Sequence, residues 1–249
     1  MAEPRAERGQ PLVGCWITTP SPWACELAAV LGYDAVFIDL EHGTINPESA
    51  DRMIALSRAI DLRVYVRVGG AERAPIQQAL DAGAHGLVLP QIEGLSHATR
   101  SAGYSKYPGL GTRGMGTPRS QAYGDTPPGF VEAEDRSTRC LVMIETPGAL
   151  REVEAIAALD TVDGLFMGPY DLSLTRGRGQ YARTEADRED ARTIAHAAKS
   201  VGKLLGMPVG SAEDVAFARA VQADLTTVAD DIFALKAGLA EALANLGGR

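Results

Sequence analysis

The stretch "FIDLEHG", residues 37–43, places Asp39, Glu41 and His42 at the end of an apolar run. A chain that only had to turn there would use Gly, Asn or Pro. Two carboxylates and an imidazole point instead to acid–base chemistry. A histidine can carry a proton in catalysis, and Asp39 could orient or polarise His42 if a turn brings the two together. Three further ionisable residues close later apolar runs in the same way. Arg67 ends "RVYVRV" (63–68), Glu145 ends "CLVMIET" (140–146), and Asp171 follows Gly168, Pro169 and Tyr170 after "GLFMGP" (164–169). Glu145 and Asp171 stand one repeat apart with no lysine in either run. They form a pair of oxygen donors suited to a hard divalent cation such as Mg2+ or Mn2+. The competing reading is an internal salt bridge between Glu145 and Arg67, since a buried arginine requires a carboxylate from the protein or from a ligand. His85, His97 and His196 lie in or beside helical patterns and read as surface or satisfied polar residues.

The elements that must position these side chains are short and β-branched. Besides the runs above they include "LVGCWIT" (12–18), "AVFIDL" (35–40), "GLVLPQI" (86–92), "KLLGMPV" (203–209) and "LTTVAD" (225–230). Most are continuously apolar, as parallel strands covered on both faces must be. Helical patterns such as "PESADRMIALSRAI" and "APIQQALDAG" alternate with them, the second opening near a proline and closing at a glycine. Eight strand–helix alternations predict a single-domain (β/α)8 barrel over residues 1–249, with residues 1–10 a flexible N-terminus. A doubly wound dinucleotide fold would carry G-x-G-x-x-G after the first strand, and "ITTPSPWACE" has none. In a barrel the ionisable run ends gather at one mouth. Side-chain alternation sends Tyr65 and Arg67 inward, with Leu141, Met143 and Glu145 on one shared face, and turns Val64, Val66 and Val68 toward the helices. Residues 107–130 and 173–188 are long connections. The second, following a strand directly, should lie at the mouth, whereas the first is too broken by Gly and Pro for regular structure.

Composition narrows the function classes. The 249 residues carry a formal charge of −8, which argues against general affinity for nucleic acid phosphates. Cys15, Cys25 and Cys140 are odd in number and widely spaced, giving neither a disulfide framework nor a zinc pattern. No apolar leader opens the chain and no run approaches a membrane span, so the expectation is a cytoplasmic protein with no membrane partner.

"GYDAVFIDLEHG", "RV", "ALDAGAHGLVLPQI", "IETPGAL" and "VDGLFMGPYDLS" occur in that order. Together they resemble the HpcH/HpaI aldolase family of metal-dependent class II pyruvate aldolases. The resemblance implies that Glu145 and Asp171 hold a divalent ion (Mg2+, Mn2+ or Co2+) that chelates a pyruvate-like 2-oxo acid. It implies that Arg67 stabilises an enolate oxygen, that Asp39 and His42 form a catalytic pair, and that Asp81 acts from a neighbouring subunit. It also places backbone around Gly168, Pro169 and Tyr170 beside the substrate carboxylate, and makes a hexamer, a dimer of trimers, the default assembly. Its activity is to make or cleave a 4-hydroxy-2-oxo acid from pyruvate and an aldehyde. Met143 departs from the family pattern, which carries glutamine there, and leaves the preferred substrate open. The alternatives are a CoA-ester lyase of the citryl-CoA or malyl-CoA type and a non-catalytic barrel that binds a keto acid.

Overall fold

A computed structural model describes residues 10–246 of the chain. Eight strands are β1 (Leu12–Ile17), β2 (Ala35–Asp39), β3 (Arg63–Arg67), β4 (Gly86–Leu89), β5 (Arg139–Ile144), β6 (Gly164–Met167), β7 (Leu204–Pro208) and β8 (Leu225–Asp230). They close into a parallel barrel in chain order, with β8 pairing back onto β1, so the expected (β/α)8 architecture is the observed one. The helices are α1 (Pro22–Leu31), α2 (Pro47–Ala59), α3 (Arg73–Asp81), α4 (Leu95–Gly103), α5 (Phe130–Ser137), α6 (Pro147–Arg151), α7 (Val153–Ala157), α8 (Pro169–Thr175), α9 (Glu185–Ser200), α10 (Ala212–Ala220) and α11 (Asp231–Ala244). Local chemistry starts them where the sequence signals a start. Asn46 accepts from the Ser49 N–H at 2.9 Å ahead of Pro47, and Thr184 and Asp187 cap each other reciprocally at the head of α9. The expectation of a flexible stretch over residues 1–10 falls, apart from Gln10, outside the described residues.

The pleat divides the strands as alternation requires. Val64, Val66 and Val68 join the outer core against the helices, whereas Tyr65, Leu141 and Met143 lie in the barrel interior with Phe37, Val88, Phe166 and Leu225. Aromatic rings fill that interior because neighbouring strands yield space. A Cβ on Gly14 would come within 2.5 Å of the Phe37 ring, and one on Gly86 within 2.7 Å of the Tyr65 ring. Phe37 and Tyr65 stack with centroids 4.9 Å apart, and Trp16 tilts onto Phe37 at 5.1 Å. Each buried ring contributes about 2–3 kcal/mol of apolar transfer, so the barrel axis is a packed column on which the mouth residues rest.

The long connections differ from their sequence reading in detail. Residues 107–130 hold a kinked 3-10 segment, Arg119–Gly124, and α5 begins at Phe130. Arg119 forks onto Asp51 at 2.7 and 3.0 Å and Arg73 reaches Thr112, so this connection crosses the outer side of α2 and α3. After β6 the chain first forms the short α8, leaving residues 176–184 as the irregular part. The three cysteines are buried and unpaired, and no helix among the described residues is long and apolar enough to cross a membrane.

Candidate active site

Strand register brings Asp39 and Arg67 side by side at the C-terminal ends of β2 and β3. Arg67 meets the Asp39 carboxylate with both prongs of its fork, Nε to Oδ1 at 2.8 Å and Nη2 to Oδ2 at 2.5 Å. Its remaining nitrogen, Nη1, lies 3.3 Å from Glu41 Oε2. The guanidinium carbon sits 4.8 Å from the centre of the Trp16 ring, whose Nε1 donates to Thr227 Oγ1 at 3.0 Å. Burial by itself would lower the Arg67 pKa, but the hydrogen bonds and charge of Asp39, with Glu41 and Glu145 behind it, raise it instead. Arg67 is thus a fixed cation whose carboxylate partners are Asp39 and Glu41. No ion pair joins it to Glu145 among the described residues.

The "EHG" turn owes its shape to the same carboxylate. Asp39 Oδ1 also accepts from the backbone N–H groups of Glu41 at 3.1 Å and His42 at 3.3 Å, and Gly43 passes so close to the Asp39 carbonyl that a Cβ would collide with it. Asp39 therefore meets His42 through its backbone. The imidazole, 61% exposed, reaches into the mouth, with Nε2 3.8 Å from Glu41 Oε2. The turn holds Asp39 against the His42 backbone rather than its imidazole, whose Nε2 neighbours Glu41 instead.

Glu145 stands one residue beyond β5 and is 1% exposed. Its Oε1 accepts from the Gln91 N–H at 2.6 Å, while Oε2 is buried with no hydrogen-bond partner. Gln91 holds φ +53°, a strained value for a non-glycine residue, which aims its N–H at the carboxylate. Burial pushes the Glu145 carboxyl up to about 7. The charges of Glu41 and Asp171 push the same way, and the Gln91 N–H and Arg67 oppose them. Asp171, in the first turn of α8, faces the same recess, and the Thr175 hydroxyl ties the Glu145 and Asp171 carbonyls together at 3.1 and 2.8 Å. An orphaned buried carboxylate oxygen next to a second carboxylate fits a hard cation. Among the described residues no group of three or more His, Cys, Asp or Glu is arranged to hold a metal ion.

These side chains line one recess of about 440 Å³ at the C-terminal end of the barrel, together with Met143, Gly168, Pro169, Tyr170 and Asp230. The family model described as HpcH/HpaI aldolase/citrate lyase matches residues 12–232. The chain belongs to the HpcH/HpaI family. It is 31% identical over 241 residues to a hydroxypyruvate/pyruvate aldolase of Rhizorhabdus wittichii, covering 95% of this chain and 94% of that one. It is 37% identical over 169 residues to a 4-hydroxy-2-oxovalerate aldolase of Novosphingobium aromaticivorans, spanning 66% of this chain and 63% of that relative. A solved HpcH/HpaI aldolase/citrate lyase family protein from Burkholderia cenocepacia superposes with a TM-score of 0.88 at 28% identity, covering 96% of each chain.

In this HpcH/HpaI member the remaining expected residues divide by position. Met143 is buried at the recess floor beside Gly168. Tyr170 is exposed at the rim, its ring edge-on to Tyr181 at 5.2 Å. Asp81 ends α3 and pairs with Arg113 at 3.4 Å, outside the recess of its own chain. Other wall residues are Trp16 and Asp230, which also caps α11 by accepting from the Phe233 N–H at 2.6 Å. Trp16, Gln91 and Asp230 join the site without having been expected there. Alternation with Gly14 places Trp16 inward, and Asp230 is the last residue of β8. The Gln91 contribution comes through its backbone and leaves no side-chain signal.

Proposed function

We propose that this chain is a divalent-cation-dependent aldolase that makes or cleaves a 4-hydroxy-2-oxo acid through a pyruvate enolate and an aldehyde. The observation that carries this reading is the buried, partnerless Oε2 of Glu145 facing the same recess as Asp171, Arg67 and His42. The names of the relatives, both of them 2-oxo-acid aldolases, support it.

Cleavage breaks C3–C4 of the substrate. The proton of the C4 hydroxyl departs, C4 becomes the aldehyde carbonyl, and the C3–C4 pair passes toward the C2 oxygen. Glu145 and Asp171 would hold a divalent ion, Mg2+, Mn2+ or Co2+, which when bound supplies Lewis acidity toward the oxygens of the 2-oxo acid. Arg67 offers fixed positive charge where the enolate oxygen develops. Because Asp39 already holds both prongs of the guanidinium, little reorganisation accompanies that step. His42, reaching into the mouth, accepts the hydroxyl proton directly or through one water. Returning a proton to C3 completes pyruvate. The backbone from Gly168 through Tyr170 lines the recess and would receive a substrate carboxylate, with Pro169 contributing no N–H.

The assembly belongs to the same proposal. Trp23, Leu27, Val30 and Leu31 of α1 and Phe233, Leu235, Leu239 and Leu243 of α11 are all exposed, and α11 buries none of its residues. Apolar faces of this extent support a homo-oligomer, for which a hexamer is the expected form, and a neighbour could then bring Asp81 toward a mouth. Methyl-proton exchange of pyruvate in D2O, followed by NMR with metal-free protein and then with Mg2+, Mn2+ or Co2+, tests the central reading. Cation-dependent exchange is expected. Folded protein that catalyses no exchange with any of the three would overturn it, and cleavage of malyl-CoA would favour a CoA-ester lyase instead.

A further inference from the structure

The opposite end of the barrel carries a second constellation that the aldol chemistry does not use. A recess of about 690 Å³ opens there, lined by Arg63, Arg139, Lys199, Arg219, Tyr65 and Asp224 among others. Two of the arginines belong to the axis rather than to the rim. Arg63 opens β3 in phase with inward-facing Tyr65, and Arg139 opens β5 in phase with inward-facing Leu141 and Met143. Both charges reach the Tyr65 phenol from below, where they oppose the burial that raises its pKa. The phenolic oxygen hydrogen-bonds to none of the described residues, which leaves a donor directed at the same space.

The carboxylates at this end are already engaged. Asp224 pairs with Lys199 and accepts from the Leu205 N–H at 2.7 Å. Asp163 takes the buried Lys106 at 2.8 Å and the Cys140 N–H at 2.8 Å, and holds Arg139 only at 3.6 Å. Arg63 and Arg219 have no ion pair among the described residues. In a chain of net charge −8, this concentrates uncompensated positive charge at one concave spot. Guanidinium forks and a phenol that line one recess suit the tetrahedral oxygens of a multivalent oxyanion better than those of a monovalent one.

We propose that the N-terminal end of the barrel is a binding site for a phosphate dianion, free or carried on a small ester, held by Arg63, Arg139 and Arg219 with the Tyr65 hydroxyl above them. The site lies across the aromatic column from the mouth and is independent of the aldolase reading.

Calorimetric titration of the metal-free full chain with inorganic phosphate, at low ionic strength, tests it. One phosphate per chain is expected, weakened about tenfold or more in Arg63→Gln/Arg139→Gln, the loss of at least one charge-assisted hydrogen bond. Arg219→Gln, on an exposed helix end remote from packing, should weaken it severalfold with the fold intact, and Arg67→Gln at the mouth should leave it unchanged. Parallel titration with glycerol 3-phosphate distinguishes the two forms of the ligand. Tighter binding than inorganic phosphate assigns the site to an ester, and the reverse assigns it to the free ion. Absence of saturation with both ligands, equal binding by Arg219→Gln and the parent, or loss of binding in Arg67→Gln would each overturn the proposal.

Discussion

Gly168 packs so tightly beneath Glu145 that a Cβ at position 168 would stand 2.6 Å from both Cβ and Oε2 of that carboxylate. The space a methyl group would fill is the space that leaves Oε2 buried yet unpartnered. Gly168→Ala should therefore displace Glu145 while the barrel stays folded, weakening Mn2+ binding about 10- to 100-fold, the range for disturbing a group that supports a metal ligand. Titration of the variant with Mn2+, followed by calorimetry, checks this. Parental affinity would mean that Glu145 does not ligate the ion.

The raised pKa of Glu145 makes stability depend on pH in a definite direction. Between the ordinary 4.5 and about 7 the folded chain keeps a proton that the unfolded chain has released. Each rise in pH across that window then favours unfolding, by about 3 kcal/mol in total for this one group. Its contribution is fully present below the lower value and gone above the upper. Metal-free protein should lose more stability to urea between about pH 5 and about pH 8 than Glu145→Gln does. A divalent ion should restore the parent at the higher pH, since it binds the unprotonated carboxylate. An identical pH dependence in parent and variant would refute the assignment.

Arg67→Lys keeps the charge at the mouth but loses the planar fork that Asp39 holds at two points. A lysine cannot both satisfy Asp39 and present a donor to a developing oxyanion, so kcat for cleavage should fall about 10²- to 10³-fold, the cost of one such donor. Steady-state kinetics with KM measured separately checks it. A change confined to KM would place enolate stabilisation elsewhere.

Where a side chain points in this barrel follows from a two-residue period, so the inward positions of Tyr65, Arg67 and Met143 were readable without coordinates. The partner of Arg67 was not. Alternation leaves Glu145 and Asp39 equally eligible, and only the β2–β3 register sets Asp39 opposite Arg67, while Glu145 lies further round on the β5 side. The Gln91 N–H and the kinked Arg119–Gly124 segment were likewise out of reach. Gln91, Ala122 and Tyr123 all adopt positive φ, and the contact from Arg119 to Asp51 spans 68 positions. Such conformations are imposed by tertiary packing against local preference and leave no periodic trace.

The bare faces of α1 and α11 lead to a prediction about assembly. Leu239→Glu and Leu27→Glu each place a charge on a side chain that is more than half exposed, 63% and 60%, so the isolated barrel should tolerate both. Sedimentation velocity should show a smaller species than the parent for at least one of them. An unchanged distribution with both would exclude these faces from the interface.

The place of Met143 in the recess leads to a prediction about substrate preference. Its thioether is buried at the floor next to Gly168, so this wall offers a soft apolar surface and no amide to a bound 2-oxo acid. Met143→Gln is close to isosteric and brings a donor and an acceptor, which only a ligand with matching polar groups can satisfy. The variant should therefore shift relative kcat/KM toward dicarboxylate aldols such as 4-hydroxy-2-oxoheptanedioate, by about tenfold for one new hydrogen bond. A panel of 4-hydroxy-2-oxo acids differing only beyond C4, assayed with parent and variant at one metal concentration, measures the shift. If the ratios stay constant while absolute rates fall together, residue 143 shapes packing alone, and selection for the acceptor resides at the rim with Tyr170 and Tyr181.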